Sequence, residues 1–160
     1  MITIPVWAMI VIIVVLCVLV AIAGWAAGMA SRLNRLHIRT DSARVNLEGA
    51  LRARAAAVYA LQPSAGAEVA AAGRLPLRAT DMGARSAAEN KLLAALDPAV
   101  LSHPAVVETS TRVDLAARFY NDAVADTLAV RTRPAVRGLR LAGRAPLPEF
   151  YEAMQAGDVI

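Results

Sequence analysis

Residues 1–31 read MITIPVWAMIVIIVVLCVLVAIAGWAAGMAS, a stretch without Asp, Glu, Lys, Arg or His in which Val, Ile, Leu and Ala run almost unbroken. A bilayer core of roughly 30 Å needs about 20 apolar residues at about 1.5 Å rise each, and Val6 to Gly28 supplies slightly more. Trp7 and Trp25 stand near the two ends, about 27 Å apart along a helix, where indole rings favour the headgroup boundary. Residues 1–31 are therefore expected to form a transmembrane anchor, and the rest of the chain to work beside a membrane.

A secretory signal peptide is the competing reading, because Gly28-Met29-Ala30 resembles a small-residue cleavage site. It is disfavoured: the charged n-region is missing, and the apolar run is about twice the usual h-region of roughly 7–15 residues. Orientation follows from the flanks. The N-terminal side carries no Lys or Arg, whereas Arg32, Arg35 and Arg39 follow the span directly, so the expected location is the plasma membrane, with the N-terminus outside and residues 32–154 cytoplasmic.

Beyond the anchor, residues 32–154 are long enough for one domain with a working core. Ala is abundant, aromatics are few, and Lys91 is the only lysine among 17 basic residues. Ala-rich helices that pack closely suit this composition, as does a simple compositional bias of the coding sequence. The formal net charge of +4 is concentrated in Arg32 to Arg54 and in Arg131, Arg133, Arg137, Arg140 and Arg144. Nucleic-acid binding is not expected, since no aromatic stacking platform or known module is interleaved with these arginines. Beside a membrane they more economically serve topology and attraction to anionic lipid. Cys17 is the only cysteine and lies within the span, which excludes a disulfide framework and a thiolate metal site.

Leu36, Thr40, Ala43, Leu47, Leu51, Val58 and Leu61 recur at three- and four-residue steps or their multiples, which places them on one face of a helix. Nothing between Gly28 and Gln62 forces a break, so the anchor is expected to run into this amphipathic helix. Arg54 falls inside the apolar stripe. The ordinary reading is a side chain that snorkels to water; the sharper one is a pairing with an acid on a facing helix.

Pro63 ends that helix, and Gln62 to Ala79 reads as a connection with one helical turn around Glu68 to Ala72. A second helix is expected from Thr80 or Ser86 to Leu96, with Ser86 and Glu89 at the spacing of a capping box. Asp97-Pro98 stops it and starts a single turn, and Pro104 restarts the chain in the same manner. The third helix should run from Pro104 to Arg133, with Val106, Val113, Ala117, Tyr120, Val124 and Leu128 on its main stripe. Leu115 and Phe119 form a second, narrower strip, and Phe119 is expected to be covered by a neighbouring helix of the same chain. A last helical segment is expected over Ala135 to Leu141, and Gln155 to Ile160 should fray. The fold class is all-α: one N-terminal transmembrane helix leading into a small antiparallel bundle of about three helices.

The stretch from Thr109 to Val124 resembles the signature helix of the LemA family, and its end, Tyr120-Asn121-Asp122 followed by Ala123-Val124, is the best match. Pro134 stands where that family ends the helix, and Phe150-Tyr151-Glu152 resembles its aromatic-acidic terminus. The resemblance extends to Ala43, Leu47, Leu51, Arg52, Arg54 and Leu61 in the first soluble helix and to Glu89-Asn90 through Leu96 in the second. It implies a membrane-anchored helical protein with no established reaction, and marks Arg54, Phe119, Tyr120, Asn121, Asp122 and Val124 as the motif positions. Three departures accompany it. The family's proline in the first soluble helix is absent from Ala57-Val58-Tyr59-Ala60-Leu61-Gln62. Its glutamate and arginine on the third helix correspond to Ser110 and Ala117, which leaves Arg54 without an acid there. The link from Leu96 to Pro104 is short.

No catalytic constellation is legible, and no enzyme activity, cofactor, metal or small-molecule substrate is expected. Ser102-His103 precedes Pro104 and reads as a helix start rather than an activated serine. His37 has no second His at metal-ligand spacing and reads as a solvated interfacial residue. Asp122 and Asp126 stand four apart, but such a pair is ordinarily just an exposed face. Gly24 and Gly28 form a Gly-x-x-x-Gly step flanked by Ala23 and Ala27; composition is the simpler reading, and a groove for a second transmembrane helix the alternative. The favoured function is a non-catalytic scaffold or adaptor that binds a protein partner or a second copy through its soluble helices. The alternative is a structural accessory subunit held in a larger membrane complex through its anchor.

Overall fold

A computed structural model gives the fold and describes residues 5–138 and 146–152. Met1 to Ile4 of the expected anchor, Arg140, Arg144, the extension of the last helix to Leu141 and the tail from residue 155 lie outside the described residues. Every regular element among those described is helical: α1 (Val6–Leu61), a 3-10 turn (Pro63–Ala65), α2 (Gly66–Arg74), α3 (Gly83–Ala94), α4 (Pro98–Leu101), α5 (Pro104–Arg131) and α6 (Pro134–Gly138). Residues 146–152 are extended and lie against the helices.

Helix α1 is continuous for 56 residues. Its first half is the chain's one candidate for a membrane span among the described residues, and that apolar window is not buried against any other part of the chain. Its second half buries Leu33, Thr40, Leu47, Leu51, Arg54 and Val58. Most of those residues face α5, and the α1–α5 contact is the most extensive among the described residues. The two helices run antiparallel: Val58 clusters with Val106 at one end, Thr40 bonds Thr127 further along, and Leu33 clusters with Val130 and Val136 at the other. Val106, Val113, Ala117, Tyr120 and Val124 are all buried, as their spacing predicts, while Leu128 is half-buried at the edge of the same core. Leu61 departs from its stripe and is exposed, because α1 there extends a turn beyond Val58, which already meets Val106 in the first turn of α5.

The connection after Pro63 is more helical than the proline and glycines suggest. Ala70 to Ala72 favour helix, and the glycines sit at the ends of α2, where they cost little. Space is tight at Gly66: a Cβ there would come within 3.1 Å of the Tyr59 ring, which would have to give by a few tenths of an ångström. The expected capping box at Ser86 is not formed. Helix α3 starts three residues earlier, at Gly83, so Ser86 lies inside it and the Glu89 carboxylate is committed elsewhere. Asp97 occupies the position before α4 without a side-chain bond. Gln62 instead ties the end of α1 to the end of α3, donating to the Ala95 carbonyl and accepting from the Asp97 amide.

Candidate functional site

Arg54 does not snorkel. It is 2% exposed, and its Nη2 donates to Glu89 Oε2 on α3 at 3.0 Å, so the sharper of the two readings describes it. The acid missing from the third helix is supplied by the second. Glu89, 1% exposed, also accepts from Arg85 Nε at 2.8 Å, and Arg85 Nη1 donates to the Leu75 carbonyl. Two guanidiniums thus share one carboxylate in a low-dielectric setting, where each charge depends on its partner. Asp114 lies toward the same side of α5; partial burial raises its carboxyl above the usual range, and Arg54 and Arg118 oppose that rise. Arg54 Nε and Ser110 Oγ are buried without a hydrogen-bond partner.

The Tyr120-Asn121 pair has a definite task. Asn121 Nδ2 donates to the Tyr151 carbonyl at 3.0 Å and its Oδ1 accepts from the Tyr151 amide at 2.8 Å. One side-chain amide thus reproduces the exchange of a hydrogen-bonded strand pair. Tyr120 Oη donates to the Glu149 carbonyl at 2.9 Å, and Ser86 donates to the Glu152 carbonyl. Tyr151 is inserted beside the ionic cluster, where burial pushes its phenol up to about 12 and the Glu89 carboxylate adds to the rise. Burial likewise pushes the Tyr120 phenol up to about 12, against a smaller lowering by Arg44. Tyr120 and Asn121 therefore clasp the segment 146–152. Asn121→Ala removes both clasp bonds and should cost about 1–3 kcal/mol. Chymotrypsin cleavage at Phe150 and Tyr151 should accelerate together with that loss; unchanged cleavage would show that the segment is held by packing alone.

Phe119 contradicts its expected burial. It is 58% exposed, Leu115 is 53% exposed, and among the described residues no helix covers either. Both line a groove of about 270 Å³ whose opposite wall is Ala43, Asn46 and Ala50 of α1. Val107, two and three turns before them on the same i, i+4 line, is exposed as well. The small alanines let the groove approach the α1 backbone, and the aromatic and leucine give it an apolar rim. Asp122 is exposed, whereas Val124 is fully buried.

The remaining sequence candidates are not brought together. Ser102 Oγ donates to the Pro98 and Ala99 carbonyls, while His103 Nδ1 accepts from the Ala105 amide as the cap of α5. These are helix-end bonds, as the spacing predicts. His37 is half-buried and lines a pocket with Thr40, Arg44 and Thr127 rather than standing in solvent, because α5 packs alongside this part of α1. Asp126 forms an ion pair with Arg39. Among the described residues, no group of three or more His, Cys, Asp or Glu has the geometry to hold a metal ion. Trp7 and Trp25 are exposed on α1, as are Arg32, Arg35 and Arg39. A Cβ added at Gly24 or Gly28 would meet nothing within 4 Å, so that strip is open. No protein-family model, curated protein or solved structure matches the chain.

Proposed function

We propose that the chain is a single-pass membrane protein, LemA-like in organisation, whose helical region binds another protein on the cytoplasmic side without chemistry of its own. The observation that carries this reading is the uncovered groove of Phe119 and Leu115 against Ala43 and Ala50. Contiguous exposed apolar side chains of this size, with the polar Asn46 and Arg112 lining the same groove, mark interaction sites on folded domains. Anchoring is supported by the uninterrupted passage of α1 through Gly28 to Ala30, which puts the cleavage-like step Gly28-Met29-Ala30 in mid-helix. The arginine asymmetry supports a cytoplasmic location.

Phe119→Glu tests the groove. Since the ring is exposed, stability should stay within about 0.5 kcal/mol of the parent, while co-purification of the partner after gentle detergent extraction should be lost. Retained co-purification with Phe119→Glu would move binding off this groove. A second reading, an accessory subunit held through its anchor, is favoured by the open Gly24–Gly28 strip. Replacing residues 1–31 with an unrelated span of equal length separates the two: association survives if the soluble helices bind and disappears if the anchor does.

A further inference from the structure

Arginines from the two concentrations, about a hundred residues apart in sequence, meet in space: Arg32 and Arg35 from one, Arg133 and Arg137 from the other. Leu33 of α1, Val130 of α5 and Val136 of α6 are buried in one small cluster, with Met29 and Leu36 packed against it. That cluster fixes the end of α5 and the whole of α6 beside the first turns of α1 after the apolar run. Arg32 and Arg35 on α1 and Arg133 and Arg137 at the α5–α6 end are all exposed around it. None of the four has an acidic partner among the described residues; the ion pair nearest this end is one layer further along, between Arg39 and Asp126. The sequence explains why: no Asp or Glu precedes Asp41, and none lies between Asp126 and Glu149.

Height decides what these side chains meet. Leu33 lies five residues past Gly28, roughly 7–8 Å along the helix axis. The headgroup layer on each face of a bilayer is of about that thickness. Arginines from α1 and from the α5–α6 end therefore stand at headgroup level together, on two sides of one apolar cluster, with guanidiniums suited to bidentate contact with a phosphate diester.

We propose that this end of the helical region is a binding surface for anionic phospholipid, in which Arg133 and Arg137 complete a site begun by Arg32 and Arg35. The occupant is the lipid headgroup, because the site is held at the bilayer surface by the anchor itself. The function is to seat the helical region against the membrane, and it does not depend on any protein partner. The inference rests on the reading that α1 crosses a bilayer.

The test uses Trp25, which lies two turns from Arg32, as the reporter, in the full chain carrying Trp7→Phe and reconstituted into vesicles. Quenching is measured with brominated phosphatidylglycerol diluted into phosphatidylcholine, and with brominated phosphatidylcholine in the reverse mixture. The expected result is a preference for phosphatidylglycerol of roughly tenfold, reduced by at least about fivefold in Arg133→Gln/Arg137→Gln with the helical melt unchanged. A preference that persists in the double variant overturns the proposal, since Arg32 and Arg35 alone then account for it. A preference abolished by millimolar inorganic phosphate at constant ionic strength overturns the lipid assignment in favour of a free anion. Quenching by neither lipid places Trp25 outside the bilayer, and overturns the anchoring reading and this proposal with it.

Discussion

Glu89→Ala is expected to destabilise the helical region by roughly 3–5 kcal/mol, the largest single effect among the polar residues, because it strands two buried guanidiniums at once. Among the described residues Glu89 is the only acid that bonds Arg54 and Arg85, and all three side chains are within a few per cent of complete burial. Arg54→Met should cost distinctly less. It leaves Glu89 paired with Arg85 and removes the unsatisfied Arg54 Nε along with the charge. Thermal and denaturant melts of the full chain in detergent, followed by helical circular dichroism, give the order directly. Equal losses for the two variants would mean that the cluster is hydrated rather than dry.

Val124→Asp is expected to be comparably damaging, on the order of 4 kcal/mol, for a different reason. Val124 is fully buried in the cluster formed by Leu47, Leu51, Val113 and Tyr120, and it lies in the same turn as the Asn121 clasp. A carboxylate there is taken out of water and displaces a close-packed methyl pair. The variant should lose both the α1–α5 contact and the docking of residues 146–152, so protease sensitivity of that segment should rise with the loss of stability. A melt that barely moves would show that this face of α5 is not the core.

The parts of the fold that sequence made legible are those with local periodicity. The stripes Leu47-Leu51-Val58 and Val113-Ala117-Tyr120-Val124 are repeated within single helices, and the prolines at 63, 98, 104 and 134 punctuate the elements where the structure does. What was not legible depended on distance. Ser86 and Glu89 have the spacing of a capping box, and nothing local reveals that Glu89 is taken by Arg54, 35 residues earlier in the chain. The clasp is hidden for the same reason: Asn121 grips backbone 30 residues ahead, in a segment that has no periodicity. The short strip of Leu115 and Phe119 is compatible with a covering helix or with an open groove. Only the placement of the small Ala43 and Ala50 opposite it decides for the groove.

The chain carries its own reporter for the proposal that α1 crosses a membrane and leaves the helical region on the cytoplasmic side. Lys91 is the only lysine in the sequence and is exposed on α3. A membrane-impermeant amine reagent applied to sealed membrane vesicles, followed by peptide mapping, reads the side on which that residue lies. In right-side-out vesicles Lys91 should remain unmodified, and in inverted vesicles it should react fully. Modification of Lys91 in sealed right-side-out vesicles would contradict the account.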